Sequence, residues 1–219
     1  MNLSIAEENH IKSIYKLQEG DAVVTTNALA YELETKPASV TDMAKKLKEK
    51  KLIEYEKYKG ITLSADGRKA ALQIVRRHRL WECFLVEKLS FSWEEVHELA
   101  EELEHVRSEK LTNRLSEFLG NPVIDPHGDP IPDANGKLAK PRPQTSLDQA
   151  NAKRLVVTAV TDQSTALLAF LNAKGIKLGT QLEIMAHYEY DNSIEIKVKG
   201  QSAITISEQV AKNIMVRPL

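Results

Sequence analysis

Residues 37–64 read PASVTDMAKKLKEKKLIEYEKYKGITLS and predict a helix followed by a β-hairpin. Pro37 stands at the first position of that helix, where a missing N–H costs little because the amide there has no intrahelical partner. Two strands of alternating character then flank a turn at residues 57–60. Upstream, residues 4–18 and 25–33 predict two more helices. Helix, short helix, helix and hairpin is the order of a winged helix-turn-helix, so we expect a DNA-binding domain.

The start of the third helix and the hairpin tip carry most of the residues expected to contact DNA. In a helix-turn-helix the N-terminal end of this helix enters the major groove, where small and hydroxyl side chains let the backbone approach the bases. Residues 36–59 contain eight lysines and four acids, and this excess of positive charge favours phosphate contacts. The alternative is a lysine-rich helix that is only solvated, but the hairpin favours DNA binding. The candidate DNA contacts are Thr26, Pro37, Ala38, Ser39, Thr41, Asp42, Lys45, Lys46, Lys57, Tyr58 and Lys59.

The composition is that of an ordinary globular chain. It has 219 residues, of which 42% are hydrophobic and 28% charged, with a formal net charge of −1, which leaves room for one to three domains. Near-neutral net charge excludes no class, because nucleic-acid binding depends on local patches. The one cysteine, Cys83, excludes an intramolecular disulfide and any zinc site with two or more cysteines. No apolar run approaches a membrane span and the N-terminus lacks a signal-peptide pattern, so we expect a cytoplasmic protein.

Residues 93–106, WEEVHELAEELEHV, predict an amphipathic helix with metal-binding potential. Its apolar stripe consists of Val96, Leu99, Ala100, Leu103 and Val106. The opposite side, within an arc of about 100°, carries His97, Glu101, Glu104 and His105. Such donors suit Mn²⁺, Fe²⁺ or Zn²⁺, whereas the alternative is a plain solvated face. Residues 94–109 hold seven acids against one arginine, and this repulsion favours a bound cation.

The remaining chain predicts a long helix, a tether and a small β domain. Residues 64–89 form the long helix, on which His78 and Glu82 lie one turn apart and can share a ligand. Residues 121–145 contain six of the eight prolines and predict an extended tether, rather than a packed domain, with two possible ligands in Asp125-Pro-His127. From residue 154 onward, short alternating strands predict a small β-barrel of the SH3-like kind. The expected fold class is therefore mainly α with a small β domain.

Together these segments resemble the diphtheria-toxin-repressor family of metal-dependent transcriptional regulators, in its three-domain form. The resemblance covers nearly the whole chain and is most specific in residues 37–64, in RRHRLWECFLVEKL (76–89) and in HELAEELEHVRSEKL (97–111). It implies a homodimer that binds palindromic operators when loaded with Fe²⁺ or Mn²⁺ and represses metal-uptake genes. It also implies a division into a winged helix (1–74), a helical metal-binding and dimerisation domain (75–120), a proline-rich tether (121–150) and an SH3-like domain (151–219).

The resemblance implies a primary metal site made of Asn9, His78, Glu101, Glu104 and His105. Glu101 matches the manganese-responsive branch, because the iron-responsive branch typically has cysteine there. Asn9 departs from the aspartate or methionine of the family, but its amide oxygen is a hard donor that suits Mn²⁺. Lys12 stands where two-domain manganese regulators have a glutamate ligand, which argues against their closely spaced pair of metals.

A second site is implied in one of two forms, and the sequence leaves both open. As in some three-domain manganese regulators, the ligands would be Glu82, Asp125, His127 and Asp162. As in the iron branch, they would be His78, Glu82, His97 and Gln163. Neither set contains a thiolate, which favours a hard metal over Cu(I) or Zn²⁺.

The expected function is repression activated by Mn²⁺ in preference to Fe²⁺, with double-stranded DNA and a second copy of the chain as partners. One alternative is a winged-helix regulator whose metal site is vestigial or that answers a small molecule. The other is a metalloenzyme, since residues 97–101 (HELAE) nearly match the HExxH helix of zinc proteases. Glu101 stands where the second histidine belongs, and no nucleophile motif accompanies it, so we do not expect an enzyme.

Overall fold

The computed structural model describes residues 3–18, 20, 22–56, 59–140 and 143–219. These residues form two compact units. Unit 1 consists of residues 1–78, 103–112 and 132–137, and unit 2 of residues 79–102, 113–131 and 138–219. Each unit is therefore made of three separate segments of the chain. Among the described residues, no helix combines the length and apolar character that crossing a membrane requires.

Unit 1 contains the predicted winged helix-turn-helix. Its elements are α1 (Ile5–Leu17), α2 (Thr26–Glu32), α3 (Pro37–Glu49), β1 (Ile53–Glu56), β2 (Gly60–Leu63) and the first half of α4 (Ala65–Leu89). The two strands pair antiparallel, with Ile53 opposite Leu63. The core lies between the helices and the hairpin and includes the fully buried Ile11, Ile14, Leu29, Val40, Leu47 and Ile61. The element order and the hairpin predicted from the sequence are thus confirmed.

Local signals in the sequence set the helix boundaries of unit 1. Ser4 caps α1 and forms a reciprocal capping box with Glu7, and Thr25 caps α2 through its side-chain oxygen. Gly67, in the first turn of α4, lies so close to the hairpin that an added Cβ would stand 1.8 Å from the carbonyl oxygen of Leu52. Only glycine permits this approach, so it determines how α4 leaves the hairpin.

The helix predicted at residues 93–106 is shorter in the structure. Helix α5 spans Val96–Leu103, and helix α6 follows at Glu109–Phe118. Glu104 and His105 lie in the turn after α5, so the prediction that they extend its polar face is wrong. Glu104 is fully buried, because protein cations rather than water surround its carboxylate.

Unit 2 contains the β domain. Its elements are β3 (Thr145–Ser146), the 3₁₀ turn Leu147–Gln149, β4 (Arg154–Val160), α7 (Thr165–Ala173), β5 (Gln181–Tyr188), β6 (Ser193–Val198), β7 (Ala203–Ile206), α8 (Glu208–Lys212) and β8 (Ile214–Pro218). The strands form one antiparallel sheet in the order β3-β8-β4-β5-β6-β7 around an apolar core. The predicted SH3-like class is confirmed. The strands predicted from residue 154 onward are interrupted by helices α7 and α8, and Ser207 caps α8 through its side chain.

Part of the predicted tether is packed. Asp125, His127 and Ile131 are all buried. The loop lies against β4, where the Val160 N–H donates a 2.9 Å hydrogen bond to the His127 carbonyl. Gly128, at φ +95°, makes this possible, because a Cβ there would stand 2.2 Å from the Thr158 carbonyl oxygen. The expectation that this segment is not packed is therefore wrong for residues 125–131, where a single glycine allows close packing.

Candidate metal clusters and DNA-binding surface

Unit 1 contains a buried group of charged side chains, here named the Glu104 cluster. It comprises Lys12, His78 and Glu104. The Glu104 Oε2 atom lies 2.7 Å from His78 Nδ1. The Lys12 Nζ atom lies 2.8 Å from Oε1 and 2.9 Å from Oε2 of the same carboxylate. Arg77 donates to the Glu104 main-chain carbonyl. A carboxylate removed from water is costly without such partners, so the protein itself neutralises Glu104.

The second group in unit 1, the Glu8 cluster, comprises Glu8, Arg77, His105 and Arg107. Glu8 is 3% exposed, and its Oε2 lies 2.7 Å from His105 Nδ1. Its Oε1 lies 3.0 Å from Arg77 Nη2 and 3.2 Å from Arg107 Nε. The sequence analysis did not identify Glu8. Its spacing could have done so, because Glu8 lies three residues before the apolar Ile11 and four before Lys12, which puts all three on the same face of α1. Both clusters therefore tie α1 to residues 104–107.

Three of the predicted primary ligands are held in ion pairs within unit 1, namely His78, Glu104 and His105. Within the described residues of unit 1, no three ligand atoms of histidine, cysteine, aspartate or glutamate lie within 4.8 Å of one another. The Asn9 Oδ1 atom is buried and has no hydrogen-bond partner among the described residues, so it fits the amide-oxygen donor that the resemblance implies. Glu101 belongs to unit 2, where its Oε1 lies 3.5 Å from His97 Nε2.

The Glu82 cluster of unit 2 comprises Glu82, Asp125 and His127. One ligand atom from each lies within 4.8 Å of the others, and all three side chains are buried. His127 Nε2 lies 2.9 Å from the Trp93 carbonyl oxygen. Because a carbonyl only accepts, Nε2 carries the proton, and in the neutral ring Nδ1 keeps its lone pair. That Nδ1 atom lies 3.7 Å from Glu82 Oε1, so the ring is oriented as metal-binding histidines are.

The electrostatics of the Glu82 cluster favour a bound cation. Burial, together with the charges of Glu82 and Asp129, raises the pKa of Asp125 to about 7. Burial lowers the pKa of His127, but the neighbouring carboxylates of Glu82 and Asp125 outweigh it and raise that pKa to about 8. The group thus holds more negative charge than its imidazole neutralises, and a divalent ion would offset the excess.

Of the other predicted ligands in unit 2, only one lies beside Glu82. His97 Nδ1 lies 3.5 Å from Glu82 Oε1, so Glu82 stands between two imidazoles. Asp162 is exposed, and its Oδ1 accepts a 2.8 Å hydrogen bond from the Ser164 N–H before α7. Gln163 Nε2 donates to Asp129 at 3.0 Å. The structure therefore brings the histidine to Glu82 and leaves Asp162 and Gln163 with other partners.

A cation and a thiol lie beside the Glu82 cluster. Arg79, which the sequence did not single out, lies 3.4 Å from Asp125 Oδ2 and 3.1 Å from Asp129 Oδ2. Cys83 follows Glu82 in the chain, but burial raises the pKa of its thiol, so no thiolate forms there at neutral pH. The donors of this cluster are accordingly oxygen and nitrogen only.

Most of the predicted DNA-contacting residues lie on the outer face of α3. Val40, Ala44 and Leu47 are buried, and the opposite side exposes Pro37, Ala38, Ser39, Asp42, Lys45 and Lys46. Thr26 and Thr41 are half-buried, and Lys59 is exposed at the start of β2. Lys57 and Tyr58 lie outside the described residues. The face is polar and protrudes from the core, as a helix that inserts into a groove requires.

Three family profiles match successive parts of the chain. The iron dependent repressor N-terminal DNA binding domain matches residues 2–61. The iron dependent repressor metal binding and dimerisation domain matches residues 64–133. The FeoA domain matches residues 146–218.

Relatives and solved structures agree with these profiles. The HTH-type transcriptional regulator MntR of Oceanobacillus iheyensis is 37% identical over 98 residues, which are 45% of this chain and 66% of that one. A structure titled as a manganese-dependent transcriptional repressor in complex with manganese is 33% identical, with a TM-score of 0.85 over 97% of this chain and 100% of the other. ScaR with bound Zn²⁺ is 31% identical, with a TM-score of 0.77 over 97% and 99%.

A winged helix with an exposed third helix, combined with buried carboxylate–imidazole clusters, defines a metal-dependent DNA-binding regulator. The chain belongs to the diphtheria-toxin-repressor family, in its manganese-responsive branch. The resemblance inferred from the sequence is thereby confirmed, as are the winged-helix fold and metal-dependent repression.

Proposed function

We propose that the chain is a cytoplasmic repressor that Mn²⁺, more than Fe²⁺, activates to bind a palindromic operator of metal-uptake genes as a homodimer. The observation that carries this proposal is that the predicted ligands Glu104 and His105 contact α1, the first helix of the winged domain, through Lys12 and Glu8. A change in the partners of Glu104 or His105 therefore acts directly on the DNA-binding unit. The solved structure described above as a manganese-dependent repressor supports the choice of metal.

The preference for Mn²⁺ rests on the donor chemistry. The proposed primary ligands are Asn9, His78, Glu101, Glu104 and His105. They offer carboxylate, amide and imidazole atoms, and the nearby thiol is buried and protonated, which suits a hard or borderline divalent ion. The orphaned Asn9 oxygen supports this ligand set, because a buried carbonyl without a donor is costly unless something occupies it.

In the proposed mechanism, Asn9 on α1 and Glu104 and His105 after α5 would hold one divalent ion, which would supply positive charge to these donors. Asn9 then holds α1 in one orientation, which fixes the reading helix α3 packed beside it in the same unit. Two such units at groove spacing match a palindrome, so the metal-loaded population is the one that binds DNA. By linkage, DNA tightens metal binding by the factor with which metal tightens DNA binding.

We propose that Glu82, Asp125 and His127 hold a second ion that orders unit 2. The three side chains are buried together, and the Trp93 carbonyl fixes the histidine ring. His97 lies close enough to Glu82 to join them. Glu82 on α4 and Asp125 and His127 in the loop at residues 125–131 would then share the charge of one ion.

The test is fluorescence anisotropy of the full chain on DNA from upstream of its own and neighbouring transport genes. The titration is made in chelator, then with Mn²⁺, with Fe²⁺ under anaerobic conditions, and with Zn²⁺. Specific binding that requires Mn²⁺ or Fe²⁺ supports the proposal, and the ranking of the two identifies the effector. Equal, tight binding in chelator would contradict it and support a winged-helix regulator with a vestigial metal site.

A further inference from the structure

Lys12 takes up the position of a cation in the Glu104 cluster. Its Nζ atom lies 2.8 Å from one oxygen of the Glu104 carboxylate and donates a 2.9 Å hydrogen bond to the other, so the ammonium faces both oxygens. Glu104 is 0% exposed, and the Lys12 side chain is 17% exposed. A buried carboxylate with an ammonium on both oxygens is already neutralised, so a divalent ion that approaches Glu104 meets a like charge there.

The metal-free arrangement can be exchanged without leaving a buried charge alone. Lys12 lies near the surface at the end of a flexible stem, so its ammonium can move into water. If His105 turns toward a metal ion, Glu8 retains Arg77 and Arg107. Glu104 passes from one cation to another. Each buried carboxylate therefore keeps a cationic partner in both states, and the displaced ammonium is solvated.

We propose that Lys12 is an internal competitor of the metal ion: its ammonium holds the Glu104 carboxylate in the metal-free chain and is displaced from it when metal binds. The inference rests on the proposed metal-binding function of the Glu104 cluster. It has two consequences of opposite sign. Lys12 lowers the metal affinity and so raises the metal concentration at which the chain responds, and it keeps α1 attached to residues 104–105 in chelator.

The experiment compares the full chain with Lys12→Met, which keeps the stem and removes the charge. Mn²⁺ binding is followed by electron paramagnetic resonance of free Mn²⁺ during titration, and Glu104→Gln identifies the binding step that belongs to this cluster. Lys12→Met is expected to tighten that step at least tenfold and to weaken DNA binding in chelator. Lys12→Arg is expected to stay within about threefold of the natural chain. Lys16→Met, one turn further along α1 at an exposed lysine, is the matched control.

A double-mutant cycle separates competition from a general effect on the fold. In the Glu104→Gln background, Lys12→Met is expected to leave Mn²⁺ affinity unchanged, because the contested carboxylate is gone. If Lys12→Met folds only when Mn²⁺ is present, the ion replaces the ammonium, as proposed. Unchanged or weaker Mn²⁺ binding by folded Lys12→Met overturns the inference, and so does failure of Lys12→Met and Lys12→Gln to fold even with Mn²⁺. Normal Mn²⁺ binding by Glu104→Gln instead overturns the proposed metal site itself.

Discussion

The Glu104 cluster and the Glu82 cluster neutralise buried carboxylates in different ways. In unit 1, Glu104 is paired with Lys12 and His78. In unit 2, ligand atoms of Glu82, Asp125 and His127 lie within 4.8 Å of one another, and burial together with the charges of Glu82 and Asp129 raises the pKa of Asp125. A buried carboxylate can thus be neutralised by a lysine from a distant helix in one unit and grouped with a second carboxylate and an imidazole in the other.

The largest expected effect comes from removing the charge of Glu104. Glu104→Gln is expected to lose metal-dependent DNA binding by at least about 100-fold, since both the metal donor and the partner of Lys12 are weakened. Anisotropy on operator DNA with Mn²⁺ measures it. Glu102→Gln, at an exposed glutamate two residues earlier, is the matched control and is expected to behave like the natural chain. Normal Mn²⁺ activation of Glu104→Gln would remove this cluster from the mechanism.

The next largest effect is a pH dependence of the free energy of unfolding, which is expected from the Glu82 cluster. The folded-state pKa values of Asp125, about 7, and His127, about 8, lie above their ordinary values, so the native state retains protons that the unfolded chain has released. The stability of the metal-free chain is therefore expected to fall as pH rises from 5 to 8, by on the order of 4 kcal/mol.

Denaturant unfolding in chelator at pH 5, 6.5 and 8 measures this slope. Asp125→Asn is expected to flatten it, because the amide does not titrate. Saturating Mn²⁺ is expected to reverse it, since metal binds the deprotonated ligands. An equally steep slope in Asp125→Asn would assign the pH dependence to other groups.

A smaller effect, a change of about tenfold in Mn²⁺ affinity, is expected from a substitution of Asn9. Asn9→Asp adds a negative charge at a buried oxygen that has no partner among the described residues, so Mn²⁺ affinity is expected to rise about tenfold. The same change is expected to destabilise the metal-free chain by about 1–3 kcal/mol, because the new charge is buried. Calorimetric titration with Mn²⁺ and thermal melts with and without metal measure the two effects. Unchanged affinity would mean that Asn9 is not a ligand.

The smallest effect is expected at Asp162. Asp162→Ala is expected to change Mn²⁺ affinity less than twofold, since the Asp162 side chain accepts from Ser164 and is exposed. The loss of that hydrogen bond at the start of α7 is expected to cost about 1 kcal/mol of unfolding free energy. Metal titration and denaturant unfolding of one preparation give both values. A large loss of Mn²⁺ binding would instead bring Asp162 into the second site.

Much of the winged domain was predictable because its signals are local. Pro37 at the start of α3 and the alternating strands around residues 57–60 each specify structure within a few residues. The same holds for the cap of α1 by Ser4. The end of α5 was not predictable in this way. The pattern continues to Val106, but the chain leaves the helix at Leu103, where Glu104 meets its long-range partners.

The sequence by itself determined the order of helices and strands, the family and the chemical types available as metal donors, because these follow from short-range periodicity and residue identity. The tertiary structure decided which of those donors meet. It placed Lys12 and Glu104, 92 residues apart, on one ion pair, and it packed His127 beside Glu82 through the close approach of Gly128 to β4. The physical reason is that burial converts a charge from a solvated surface group into one that must find a partner, and only the fold brings partners distant in sequence within reach.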